Sequence, residues 1–132
     1  LLLGRRTFEE MTGWFRGHRP LVLTRRALPS PWEDAGVSGV EESIRRVAEG
    51  GGESLWVCGG ASVYEAAMAH ADELILTEVR ARLGEGVPFP VFDADEWCEV
   101  RREVSAGGAE PKFERVWRVR VRKEAGNGQC DV

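Results

Sequence analysis

At residues 56–68 the sequence reads WVCGGASVYEAAM, an apolar run that passes straight into two adjacent glycines and then into a helical pattern. Glycine costs conformational entropy in regular structure, so two in succession mark an unusual backbone or a close approach by another group. The junction is therefore a strand-to-helix turn built from small residues, and the rest of the chain must be arranged around it.

The flanking segments repeat the alternation. LLLGRRTFEEM opens with a short apolar strand (1–3), a Gly turn and a helix start, with Thr7 as its cap and Glu9 and Glu10 in the first turn. PLVLTRR (20–26) is a second apolar strand, followed by a Pro/Gly/Ser-rich loop, ALPSPWEDAGVSG. Val40, Ile44 and Val47 fall at helical spacing before a run of glycines. SLWVCGG is the third strand, SVYEAAMAHA a helix and ELILTEV (73–79) the fourth strand. GEGVPFPVFDADEW reads as loop. CEVRREVS and KFERVWRVRVR are strands joined by AGGAEP, with Trp117, Val119 and Val121 expected on the buried face and Arg118, Arg120 and Arg122 outside.

Strands alternating with helices predict an α/β fold on a mainly parallel sheet flanked by helices, with a C-terminal antiparallel hairpin at the edge. The Leu1–Leu3, Pro20–Thr24 and Leu55–Cys58 runs are expected to be parallel neighbours, and Arg118–Arg122 to lie in an antiparallel edge pair. One domain is expected over residues 1–122, and the polar segment 123–132 as a flexible tail. The net charge of −4 argues against a nucleic-acid or anionic-membrane partner. No apolar run approaches membrane-spanning length. Cys58, Cys98 and Cys130 are odd in number and lack metal-ligand spacing, which points to no metal site and a reducing, cytoplasmic location.

Parallel α/β sheets bind ligands at the carboxyl ends of their strands. Three segments fall there. Gly59, Gly60, Ala61 and Ser62 let a ligand reach unbonded N–H groups at a helix start, which favour an anion such as pyrophosphate; a plain tight turn fits the same residues. Gly4, Arg5, Arg6 and Thr7 repeat the arrangement, as phosphate ligands or as solvated arginines beside a cap. Thr24, Arg25 and Arg26 make a third basic end. Three such ends in an acidic chain suggest a dinucleotide with an extra phosphate, NADP rather than NAD.

LLLGRRTFEE, RPLVLTRR, WVCGGASVYEAAMAHADELILTEV and FPVFDADEW, in this order and spacing, resemble dihydrofolate reductase up to about Arg122. The resemblance implies NADPH as cofactor, hydride transfer to the pterin ring of dihydrofolate, and a cis peptide joining Gly59 and Gly60. It implies that Gly4, Arg5, Arg6 and Thr7 hold the cofactor's phosphates and adenosine side, and Thr24 and Arg25 its 2′-phosphate. Gly59, Gly60, Ala61, Ser62 and Val63 would line the pyrophosphate and nicotinamide, with Tyr64 beside the nicotinamide. Cys58 would offer its backbone carbonyl to both pterin and nicotinamide. Thr77 would bond the acidic group that orients the pterin, with Tyr64 the second supporting residue, and Met11 and Phe15 would wall the folate side unless they are simple core.

The chain also departs from the family pattern. His18, beside Arg19, stands where an Arg usually binds the folate carboxylate. Glu85, Gly86, Val87 and Pro88 replace the acidic loop that contacts a mobile lid. The family's first strand, lid and acid-bearing helix map upstream of Leu1, so no catalytic acid is assigned within residues 1–132. The expectation is a reductase seen as an N-terminally incomplete chain, inactive and prone to self-association when isolated. Two alternatives stand beside it: the riboflavin-pathway reductase, using NADPH on a ribosylamino-pyrimidine, and a non-catalytic NADP-binding module.

Overall fold

The structure, a computed structural model, describes residues 1–15, 17–108 and 112–121. The expected tail and Cys130 lie outside the described residues. The chain forms two compact units: Leu1–Ala69 with Pro88–Pro90, and His70–Val87 with the described residues from Val91.

The first unit is built on parallel strands β1 (Leu2–Gly4), β2 (Leu21–Leu23) and β3 (Gly36–Val37), in the order β1-β2-β3. Residues 55–58 lie on the other side of β1, as expected, although only Leu2 and Val57 form a bridge of sheet type. Two bonds fix that side: the Leu2 N–H donates to the Trp56 carbonyl at 2.6 Å and the Cys58 N–H to the Leu2 carbonyl at 2.8 Å. Strand β3 falls in a segment expected to be loop. Its two residues sit on β2 through Val22 and Leu23, too short a run to carry a periodic signal.

The apolar runs are short and nearly continuous because both sheet faces are covered. Side chains alternate across a strand, so Leu2 and Leu3 enter different cores. Leu2 packs with Val37, Val40, Val63 and Ala67, with Leu21, Leu23, Leu55 and Val57 beside them. Leu3 packs with Phe8, Phe15, Val22 and Leu28. Phe8 stacks on Phe15 at a centroid distance of 5.4 Å and meets Trp32 edge-on at 5.7 Å.

Helix α1 spans Arg5–Glu10, directly after β1. Gly4 occupies its cap position without a side-chain bond, so Thr7 lies inside the first turn rather than capping it. The expected first-turn acids, Glu9 and Glu10, close the helix instead. The helix starts earlier because β1 passes into it with no intervening loop. Helix α2 (Val40–Glu49) buries Val40 and Ser43, while Ile44 is exposed. Ser43 takes the core position because its hydroxyl donates to the Gly39 carbonyl at 2.9 Å. At the start of α2, Glu42 accepts from both the N–H and hydroxyl of Ser38, each at 2.7 Å. Helix α3 (Ala61–Met68) follows Gly60 directly and buries Val63 and Ala67.

The second unit is an antiparallel sheet of β4 (Glu73–Val79), β5 (Trp97–Val104) and β6 (Phe113–Arg120), in the order β4-β6-β5. Strand β6 forms the expected antiparallel pair with the edge strand β5 and, beyond the expectation, also pairs with β4, so it is central among the three. The expected alternation is also reversed: the fully buried residue is Val116, on the face of Arg118 and Arg120. Those arginines tolerate partial burial because each is paired. Arg118 donates to Glu78 at 3.0 Å, and Arg120 to the Ala71 carbonyl at 2.8 Å. Trp117, on the other face, lies under the Arg101 guanidinium at 4.5 Å. Arg102 adds a two-point contact to Glu99 at 2.7 and 2.9 Å and an ion pair with Glu114.

Two outcomes follow from the first unit. Phe8→Ala removes the ring shared by Phe15 and Trp32 and costs about 3–5 kcal/mol, a large fraction of the stability of a domain this size, measured by urea denaturation. The Ser38 N–H, the Ser38 hydroxyl and Arg46 hold the Glu42 carboxyl below its ordinary value of 4.5. A lowered folded pKa stabilises above the unfolded value and is lost as pH falls through the folded one. Thermal scans below pH 4.5 should therefore show a shallower loss of stability in Glu42→Gln than in the wild type.

Candidate active site

All the site geometry described here lies in the first unit, at the carboxyl ends of its parallel strands. Because the strands run the same way, Gly4, Thr24, Ser38 and Gly59 emerge along one margin of the sheet. The centre of that margin is a backbone contact: the Gly4 N–H donates to the Gly59 carbonyl at 2.7 Å. A Cβ on Gly4 would meet the Val63 side chain at 3.2 Å, so glycine there allows the strand to approach α3. Gly59 has φ +108°, a conformation open to glycine and rare for other residues, and the peptide between Gly59 and Gly60 is cis, as expected.

The turn leaves a specific set of polar groups. The Gly60 carbonyl accepts from the Val63 and Tyr64 N–H groups at 3.1 and 3.0 Å. Ala61 and Ser62, the first residues of α3, have no intrahelical acceptor for their N–H groups. The Thr7 hydroxyl reaches the same place: it lies 3.5 Å from where a Gly60 Cβ would be. Backbone donors, a hydroxyl and uncrowded glycine backbone fit a pyrophosphate, and the residues present are compatible with NADPH.

Tyr64 lies across the glycine turn. Its ring atoms come within 3.4–3.5 Å of a Cβ built on Gly59, and its ring packs against Phe89, 5.2 Å away between centroids. Burial raises the Tyr64 phenol above its usual pKa, and the neighbouring Cys58 adds to the effect. Cys58 is half-buried with its thiol also raised by burial, so it stays protonated near neutral pH. Phe89 carried no sequence signal of a site role; its proximity to Tyr64 comes from the fold.

The other expected residues divide clearly. Arg5 forms an ion pair with Glu9, Nε to Oε1 at 2.8 Å, and Arg6 is exposed on α1. Thr24 accepts the Arg26 N–H at 3.0 Å through its hydroxyl, which shapes the turn that presents Arg25 and Arg26 to solvent. Met11 borders the Phe8 core and Phe15 is buried within it, so Phe15 acts as core packing. His18 is exposed and stacks on Trp14 at 4.7 Å with the rings 3° from parallel. Thr77 belongs to the second unit, exposed on β4 opposite Arg115. Ser38, at the end of the unforeseen β3, is a further polar residue on the sheet margin. The signal for it was the serine three residues before Glu41 and four before Glu42, a pattern that precedes helices.

Among the described residues, no three His, Cys, Asp or Glu side chains group to hold a metal ion, and no helix is long and apolar enough to cross a membrane.

A sequence profile described as dihydrofolate reductase matches residues 1–122. The chain is 31% identical over 123 residues to dihydrofolate reductase HdrB of Haloferax volcanii, an alignment covering 87% of this chain and 63% of the relative. It is 35% identical over 107 residues to dihydrofolate reductase type A13 of Escherichia coli, covering 81% and 64%. With a dihydrofolate reductase of Neisseria meningitidis serogroup B it shares 30% over 117 residues, covering 86% and 71%. The chain thus spans less than two thirds of the length of the first two relatives.

The glycine turn gives a direct test. Gly59→Ala places a side chain at φ +108° and should cost about 1–3 kcal/mol, read as a lower denaturation midpoint. Tyr64→Phe, which keeps the ring against Phe89, should leave that midpoint within about 0.5 kcal/mol of the wild type.

Proposed function

This chain belongs to the dihydrofolate reductase family, and we propose that it supplies the cofactor-binding part of an enzyme that reduces dihydrofolate to tetrahydrofolate with NADPH. The observation that carries the reading is the convergence of Gly4, Thr7, Gly59 and Gly60 at one strand end. The names of the relatives favour folate over the riboflavin-pathway alternative.

The chain's own groups have distinct tasks in this reading. The Ala61 and Ser62 N–H groups and the Thr7 hydroxyl hold the pyrophosphate, with Arg5 and Arg6 balancing its charge. Thr24 and Arg25 hold the 2′-phosphate, Thr24 by setting the turn and Arg25 by direct contact. Bound NADPH supplies the hydride. Tyr64 flanks the nicotinamide, and the Cys58 carbonyl helps orient both rings; the Cys58 thiol takes no part. Thr77, His18 and Met11 are assigned to the folate side.

No carboxylate of the first unit is assigned to protonate the pterin. Glu9 is paired with Arg5, and Glu10 and Glu65 are exposed on helices. In this proposal these residues supply the cofactor side of the reaction, and no proton donor is assigned among them.

The decisive assay is NADPH oxidation with dihydrofolate by the intact protein, compared with NADH. A charge-assisted contact contributes about 1.5–3 kcal/mol, so Arg25→Ala should weaken NADPH binding roughly tenfold to a hundredfold and NADH binding no more than about twofold. Equal weakening of the two cofactors would remove Arg25 from the 2′-phosphate site. Absence of dihydrofolate-dependent oxidation in the intact protein would overturn the reductase assignment.

A further inference from the structure

The charges of α1 run against its dipole. Arg5 and Arg6 occupy the positive end and Glu9 and Glu10 the negative end, the reverse of the stabilising order. The Arg5–Glu9 pair also has the weaker sequence order, with the cation N-terminal to the anion, and both side chains are partly exposed. As a stabilising device it is a poor choice. Its geometry, however, does something specific to the guanidinium.

Glu9 contacts Arg5 through Nε, at 2.8 Å. A guanidinium can offer a bidentate pair of N–H groups from its side, using Nε and one Nη, or from its end, using both Nη groups. The Glu9 carboxylate occupies the side. Among the described residues, no other bond to Arg5 is formed, so the end-on pair keeps its hydrogens available. Arg5 directly follows Gly4, whose N–H is bonded to the glycine turn, so its backbone is anchored at the same strand end.

We propose that Glu9 is a positioning residue for Arg5: it holds the guanidinium by Nε and leaves the two Nη groups as a pre-set fork for a phosphate oxygen pair of the dinucleotide. This rests on the cofactor reading above. The carboxylate's own charge works in the opposite direction, since it repels an anion. Positioning and repulsion therefore predict opposite effects on removing Glu9, and a neutral acceptor separates them.

The experiment is titration of the intact protein with NADPH, followed by nicotinamide fluorescence, for Glu9→Ala, Glu9→Gln, Arg5→Ala and the double variant Glu9→Ala/Arg5→Ala. Glu9→Ala should weaken binding about threefold to tenfold, the range of coupling between contacting groups. Glu9→Gln keeps an acceptor for Nε and should remain within about twofold of wild type. In the Arg5→Ala background, Glu9→Ala should have no further effect. Tighter binding in both Glu9 variants would show that Glu9 only repels and would overturn the proposal. Equal weakening by Glu9→Ala with and without Arg5 would overturn it in favour of a general effect on the helix. Unchanged binding in Glu9→Ala, with Arg5→Ala still weakened, would refute the role of Glu9 alone. No effect of Arg5→Ala, or no NADPH binding by the wild type, would instead remove the phosphate reading itself.

Discussion

The first unit depends on the bond between the Gly4 N–H and the Gly59 carbonyl. It ties the end of β1 to the glycine turn, and through Gly4 and Gly60 it sets where α1 and α3 begin. A backbone hydrogen bond contributes about 0.5–1.5 kcal/mol net, so separating the two segments carries a penalty. The bond requires bare backbone on both sides. At Gly4 a Cβ would press on Val63, and at Gly59 the backbone adopts a positive φ. Core packing and the candidate site thus share one constraint, with Val63 buried on one side of the turn and Thr7 reaching it on the other.

Much of this was legible in the sequence because the parallel sheet is covered on both faces. LLL and LVL appear as unbroken apolar runs, and the glycine pair marks the turn between residues 55–58 and α3. The misses have physical causes. Strand β3 is two residues long, and its pairing to β2 comes from tertiary context. Arg118 and Arg120 look like outward positions, but paired carboxylate and carbonyl partners let them share the face of buried Val116. Ser43 takes a core place that Ile44 was expected to fill, because its hydroxyl bonds to its own helix. At the site, the glycines, Thr7 and Tyr64 could be named from sequence, whereas the Tyr64–Phe89 and Trp14–His18 pairings required the fold.

The two units handle charge differently. On the antiparallel sheet, arginines are met by carboxylates: Arg118 by Glu78 and Arg102 by Glu114 across strands, and Arg102 also by Glu99 along its own strand. Arg25 and Arg26, on the parallel unit's margin, are exposed, and Arg5 and Arg6 stand at the unfavourable end of their helix. Sequence composition alone does not distinguish these roles, since both units are rich in arginine. Position relative to strand ends does.

The double-sided burial of β1 also bears on how the molecule breathes. Leu2 and Leu3 enter opposite cores, and the strand is bonded to β2 on one side and residues 55–58 on the other. Amides in such a strand exchange with solvent water only through the costliest openings, whereas those of frayed ends and mobile loops exchange through small fluctuations. The Gly4 amide, at the rim where a ligand would sit, is bonded within this same set. The rim is thereby tied to the buried strand, and loosening the glycine turn at Gly59 would also break a bond of β1.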